Sequence, residues 1–315
     1  MRTIIGNKKT ALRMVVLIVC IIAFSFVMSA AYYNDPNEEM AAEQAEIKDT
    51  ITGAYTTMSL LGSFASEDGT TANLSEEELD ALVEDYNDRV NLYYSKDSTQ
   101  NSAYQSMNEE YLRCGFRNPV DIYNVINGGV YRCDIHSIKS EDNGNQAIVD
   151  ANVIKWNTAI SSWSENEPES KGTYFLVTPS IGKVHVIVRM VKEGNTWKIL
   201  GTEEYTPMAS GYDKAIRDYV LKKYDVDKTA TMKGENGKLL TITDREAETI
   251  LQEFSRSEDP AVRQSAAALQ ENLSVYGKHF VTFEEAYAAA SALDVPNGNY
   301  YALEAALNGE DQKAG

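Results

Sequence analysis

The sequence predicts an α+β fold held outside the cytoplasm behind one N-terminal membrane helix. Three observations carry this. Met14 to Tyr33 is a run of twenty residues without a charge. Between residues 36 and 113 apolar positions recur three and four apart, the period of amphipathic helices. From Val130 the period changes to two, and five strand-like runs follow before helical patterning returns near Tyr212.

The N-terminus comes first. Residues 1–13 hold Arg2, Lys8, Lys9 and Arg13 and no acid, a basic tail of the kind that stays cytoplasmic. Twenty apolar residues at 1.5 Å rise span the ~30 Å hydrocarbon layer. Between Asp35 and Asp80 stand twelve carboxylates and one base, Lys48, so residues 34–315 are expected outside the cytoplasm. Two readings of residues 14–33 stand side by side. Full spanning length and the interfacial rings of Tyr32 and Tyr33 favour a single-pass anchor in the cell membrane. Ser29-Ala30-Ala31 offers a small-residue cleavage site, in which case the chain is secreted after a cut behind Ala31. Cys20 follows Val19, where a lipobox needs a small residue, so it reads as a lipid-facing hydrophobe.

Residues 34–72 form an acidic membrane-proximal segment. Within it Met40, Gln44, Ile47, Ile51, Ala54, Met58 and Leu61 alternate four and three apart, a short heptad seam. The seam reads either as a homo-oligomer contact through residues 40–61 or as a helix packed on its own domain. Gly53 weakens that helix by roughly 1 kcal/mol relative to Ala. Residues 64–73 are a polar loop. Leu74-Ser75-Glu76-Glu77-Glu78-Leu79 is then a capping box with a hydrophobic staple. Its helix runs to about Tyr94 along Leu79, Leu82, Val83, Tyr86, Val90 and Tyr93. A second helix is expected over Ser102–Arg113. Pro119 opens a short third one, stopped near Asn127 by Gly128-Gly129.

The five strand candidates are residues 130–138, 147–156, 172–178, 183–191 and 196–205. Glu141 to Asn145 turns the first into the second, and Gly194-Asn195 turns the fourth into the fifth. Val184, Val186, Val188 and Met190 face one way, with Trp197 and Ile199 matching them, while Lys183, His185, Ile187 and Arg189 face the other. Pro207 and Gly211 mark a boundary near residue 210. Beyond it, residues 211–315 read as a mostly helical domain. It has an amphipathic stretch from Tyr212 to Tyr224 and a hairpin around Gly234-Glu235-Asn236-Gly237. Capping boxes stand at Thr243–Glu246 and Thr282–Glu285, and Asp259-Pro260 is an N-cap followed by a first-turn proline.

Net charge is −18 overall. Four of the 29 bases lie in the first thirty residues, which leaves 25 against 47 acids, or −22, for the rest. Nucleic acid is excluded as a partner, since phosphate binding needs clustered Lys and Arg. Two cysteines, Cys114 and Cys133, lie beyond the apolar run. They are able to form a disulfide outside the cell or to stand as free thiols; spacing does not decide.

The order of three helices before a curved antiparallel sheet resembles the nuclear transport factor 2-like superfamily. The resemblance spans roughly residues 73–207 and rests on the long helix Leu79–Tyr94 and the hairpin VHVIVRMVKEGNTWKILGTEEY. It implies a cone, with helices against a bent sheet. Members include enzymes, small-ligand carriers and assembly modules, so the fold leaves the activity open.

Few residues carry chemistry. Asp134 and His136 share a strand face with Arg132 and are candidates for a general acid–base pair if that face lines the cone; Cys133 and Ile135 on the opposite side argue for a wet outer face. His185 lies beside Lys183 and Arg189, and His279 sits in a loop. No spacing for a transition metal, nucleotide or nucleophile elbow occurs, so neither metal nor cofactor is expected. Asp225-Val226-Asp227 opens like a calcium loop, but Ala230 and Asn236 occupy its glycine and bidentate positions. The nineteen tyrosines fall mostly at apolar positions. The expectation is therefore an extracytoplasmic binding or assembly module of a bacterial cell envelope with a protein partner, akin to single-span subunits of secretion or conjugation machinery. The alternative is a cavity enzyme or small-ligand carrier.

Overall fold

The computed structural model describes residues 36–66, 68–117, 123–164, 173–209, 251–275 and 278–309. The basic tail, the apolar run 14–33, the helix at 212–224, the hairpin at 229–242 and the capping box at 243–246 lie outside them. No helix among the described residues is long and apolar enough to cross a membrane. The chain divides into two compact units, Met1–Ile47 and Lys48–Gly315, and every contact below lies within the second.

The chain is α+β. Among the described residues three helices come first: α1 (Pro36–Ser59), α2 (Glu76–Tyr93) and α3 (Thr99–Glu110), the last followed by one π turn, Tyr111–Gly115. Four long antiparallel strands follow in simple order, β1 (Tyr123–Glu141), β2 (Gln146–Ser164), β3 (Thr173–Glu193) and β4 (Thr196–Ala209). After β4 the described elements include α4 (Pro260–Ser274), a two-residue β5 (His279–Phe280) on β3, α5 (Phe283–Ala292) and α6 (Tyr300–Asn308).

The caps form as the sequence dictates. Ser75 and Glu78 exchange both bonds of the α2 box, and Glu78 is held below the usual carboxylate range by the backbone and hydroxyl of Ser75. Thr282 and Glu285 do the same for α5, and Asp259 caps α4 ahead of Pro260. Gly194, at φ +67°, makes the two-residue turn between β3 and β4.

Two expectations about the elements are corrected. The third helix at 119–127 does not form over its described part, because Tyr123–Asn127 already belongs to β1. The glycines that read as a helix stop lie inside the strand. A Cβ on Gly128 would stand 2.8 Å from the Ser59 carbonyl and 3.0 Å from that of Trp156, so the position admits close backbone approach by α1. The runs 172–178 and 183–191 are one strand rather than two. Pro179 is tolerated because, among the described strands, β4 joins β3 only from Lys183 and β5 only at Phe175–Leu176, leaving an edge at the proline.

The sheet's two faces are covered at different ends. Under α1–α3 lie Cys133, Val149, Ala151, Val153, Val184, Val186, Val188, Met190, Trp197 and Ile199, all buried. Thr50 of α1 donates to the Trp197 carbonyl at 3.3 Å, and Ser95, just past α2, donates to the Ile199 carbonyl at 2.9 Å. Ile51, Ala54 and Tyr55 of α1 are fully buried within the chain, so this stretch of the heptad seam packs on its own domain. On the opposite face, Ile154, Ile160, Val177 and Ile181 share one apolar core with Leu251, Val262, Leu269, Phe280, Phe283, Val295 and Leu303. The C-terminal helices and the sheet thus close over each other.

Gly53 has a packing role that helix propensity hides. A Cβ there would stand 2.2 Å from the Tyr93 ring, so the glycine lets α2 press its tyrosine onto α1.

Candidate functional site

The half of the outer sheet face that no described helix covers holds the sequence-predicted pair. Antiparallel register aligns Asp134, Asn152, His185 and Tyr205 as one rung across all four strands. Arg132 Nε donates to Asp134 Oδ2 at 2.9 Å. His185 Nε2 meets Asp150 Oδ1 at 2.9 Å, and the Tyr205 ring stacks on the imidazole with centroids 5.2 Å apart. Arg189 pairs with Glu203 at 3.2 Å beside them. His136 does not join this rung. A register shift between Ile135 and Ser137 takes it out of the ladder, and it is exposed. Asp134 is therefore brought to Arg132 and Asn152 rather than to His136, on the outer face, while Cys133 points under α1. An imidazole oriented by a carboxylate has the layout of a general base. Here it stands on an open strand face, its carboxylate more than a third exposed.

Of the two alternatives for the cysteines, the structure has the free thiols. Both are free: Cys114 is exposed on the π turn and Cys133 is buried. Burial pushes the Cys133 thiol up to about 11, with Lys48 and Thr52 pulling the other way.

The interior beneath the helices is a tyrosine cluster. Tyr55 of α1, Tyr94 just past α2 and Tyr104 of α3 gather near Glu204 of β4, and Tyr86 of α2 lies by Tyr94 and Tyr104. Burial raises all four phenols well above their ordinary value, and Glu204 raises Tyr55, Tyr94 and Tyr104 further. They are neutral near pH 7, and the hydroxyls of Tyr55, Tyr86 and Tyr94 are buried without a full hydrogen bond among the described residues. The Tyr55 hydroxyl lies near the Glu204 carboxylate without the geometry of a full hydrogen bond. Lys155 Nζ completes the group, 3.7 Å from Glu204 and 5.6 Å above the Tyr55 ring. Gln100 clamps α3 to β4 through two bonds with Thr202, at 2.7 and 2.9 Å.

A third region was not foreseen. At the end of α3 the π turn keeps Leu112 buried and turns Tyr111 outward. Met107, Tyr111 and Tyr123 are 38%, 37% and 46% exposed, and they share one edge. Phe116 joins them, 5.5 Å from Tyr111 and 6.4 Å from Tyr123, and itself stacks on Phe64 at 5.8 Å. Toward α2, ion pairs tie the turn down. Arg113 of the turn reaches Glu76 at 3.1 Å, Glu109 at 2.9 Å and also Asp80; Arg117 reaches Glu76 at 3.3 Å. These partners hold the Arg113 guanidinium firmly protonated. Sequence periodicity missed the edge because an α-helical reading turns Tyr111 and Leu112 differently from the π turn. Tyr123 in addition falls within the helix expected from Pro119.

No family model matches the chain, and no curated protein matches it. Among solved structures, the intermembrane space region of the chloroplast protein ARC6 is similar at TM-score 0.30 and 12% identity, over 51% of this chain and 94% of that one. A likeness at that level fixes neither fold nor function.

Proposed function

We propose that the chain is a membrane-anchored, extracytoplasmic assembly module of a bacterial cell envelope, with a nuclear transport factor 2-like core. The exposed Met107–Tyr111–Tyr123 edge carries this reading. Contiguous exposed aromatic surface marks protein contact in soluble domains. The remaining chemistry supports it from the other side. The phenols inside are neutral and packed, and the acid–base groups of the outer face stand in closed, half-exposed pairs. The apolar run at 14–33 and the charge order around it support the anchor and the outside location.

Two measurements test this. A reporter fused after Gly315 is active only outside the cytoplasm. The full chain, extracted in mild detergent, migrates on a native gel in a complex that Tyr111→Ser with Tyr123→Ser collapses. Cytoplasmic reporter activity, or migration unaltered by the two substitutions, would contradict the proposal.

A further inference from the structure

We infer that Tyr55, Tyr94, Lys155 and Glu204 form a binding site for a free amino acid, held by its ammonium and carboxylate groups. The inference stands apart from the assembly reading and uses none of the aromatic edge. Three observations point to it. The first is convergence without completed bonds. Tyr55 and Tyr94 are 0% and 1% exposed, and neither hydroxyl has a full hydrogen bond among the described residues. Both phenols lie close to Glu204. A buried hydroxyl left in this state is costly, so the cluster favours anything that supplies the missing partner. Lys155 Nζ stands 3.7 Å from Glu204 Oε2, too far for a hydrogen bond, so this pair is loosely made as well.

The second is access. The side chains of Lys155 and Glu204 are 32% and 33% exposed, and Tyr104 beside them is half-buried. Strand register sets Lys155 opposite Gly182 and Glu204 opposite Val186, so the two charges lean together from rungs on either side of Val184. Gly182 adds no side chain next to the lysine, whose long stem is therefore able to swing. The third is the sign of the groups. The seat between the Tyr55 ring and Glu204 suits an ammonium, and Lys155 Nζ now sits 5.6 Å above that ring. A simple cation entering the seat is repelled by Lys155, and a simple anion is repelled by Glu204. An uncharged ligand forgoes the charge-assisted bonds. A zwitterion meets both groups. Its ammonium donates to Glu204 and to the hydroxyl oxygens of Tyr55 and Tyr94, and Lys155 swings outward onto its carboxylate.

The test uses the full chain in mild detergent and each common L-amino acid in turn, at about 5 mM, in a thermal melt followed by titration calorimetry of those that raise the melting point. At least one binds with a Kd below about 1 mM. Its amide, which lacks the anion, and its N-acetyl derivative, which lacks the cation, each bind about tenfold more weakly or worse. Glu204→Gln weakens the parent amino acid about tenfold. Lys155→Met weakens it too, yet tightens the amide, because the repelling ammonium is gone. Tyr94→Phe weakens binding without lowering the melting point of the free chain, since an orphan hydroxyl is removed. Unaltered near-ultraviolet circular dichroism checks the folding of each variant. No response to any amino acid overturns the inference. So does binding indifferent to both charge substitutions, or an amide that Lys155→Met fails to tighten. Binding of uncharged N-acetylglucosamine in place of the amino acids would also overturn it.

Discussion

On the same strands, alternate residues build two unlike surfaces. Val149, Ala151, Val153, Val186 and Val188 close against α1–α3, while Asp134, Asp150, His185, Arg189 and Glu203 face water. The titratable residues that attract attention in the sequence are on the second surface. Their pairs are half exposed, where an ion pair contributes about 0–1 kcal/mol. The apolar residues that attract none produce the aromatic edge, because a π turn and a strand start place Tyr111 and Tyr123 together. Under the proposed assembly role, chemistry-bearing residue types are a poor guide to the working surface, and side-chain placement is a better one.

Substitutions sharpen that contrast, beginning with the covered face. Trp197 is 2% exposed, so Trp197→Ala is expected to cost about 3–5 kcal/mol in denaturant unfolding. A melting point equal to the parent's would mean that this face is loosely packed. Gly53→Ala comes next. Helix propensity alone favours alanine by about 1 kcal/mol, but the methyl collides with Tyr93, and overpacking costs about 1–3 kcal/mol. A net loss of about 1 kcal/mol is expected by urea titration. A gain would show that the Tyr93 ring swings aside without cost.

Ser75→Ala removes the α2 cap and costs about 1 kcal/mol near neutral pH. Glu78 is lowered in the folded chain, so its contribution is present above the unfolded carboxylate range and is lost as pH falls through its folded value. The effect of Ser75→Ala on the melting point therefore shrinks in acid; an effect that grew in acid would reverse the assignment. On the open face, His185→Ala and Asp150→Asn are each expected to change stability by less than about 1 kcal/mol. A larger loss in a double-mutant cycle would show that the rung is a structural lock.

Much of the fold is readable from short-range signals. The capping boxes at Ser75 and Thr282, the Asp259-Pro260 start and the Gly194 turn each involve residues within a few positions of one another, where local chemistry decides. The α+β order followed from the change of period. What was not readable depends on distant partners. Asp150 and His185 are 35 residues apart and meet only through strand register. The shift after Ile135 that removes His136 has no local residue signature. Gly53 reads as a weakness until Tyr93 is placed against it. The same holds for Gly128-Gly129, which stop a helix in isolation and admit α1 in the folded chain. The C-terminal helices read as separate because their apolar residues match Ile154, Ile160 and Val177 only in three dimensions.

The central claim is that the aromatic edge, not the open sheet face, is the working surface. Site-specific photo-crosslinking in intact cells tests it most directly. The photoreactive residue replaces Tyr111, Tyr123 or His185, one at a time, in the full chain. The account predicts adducts with another polypeptide from positions 111 and 123 and none from 185. Adducts from 185 alone, or from no position, would contradict it.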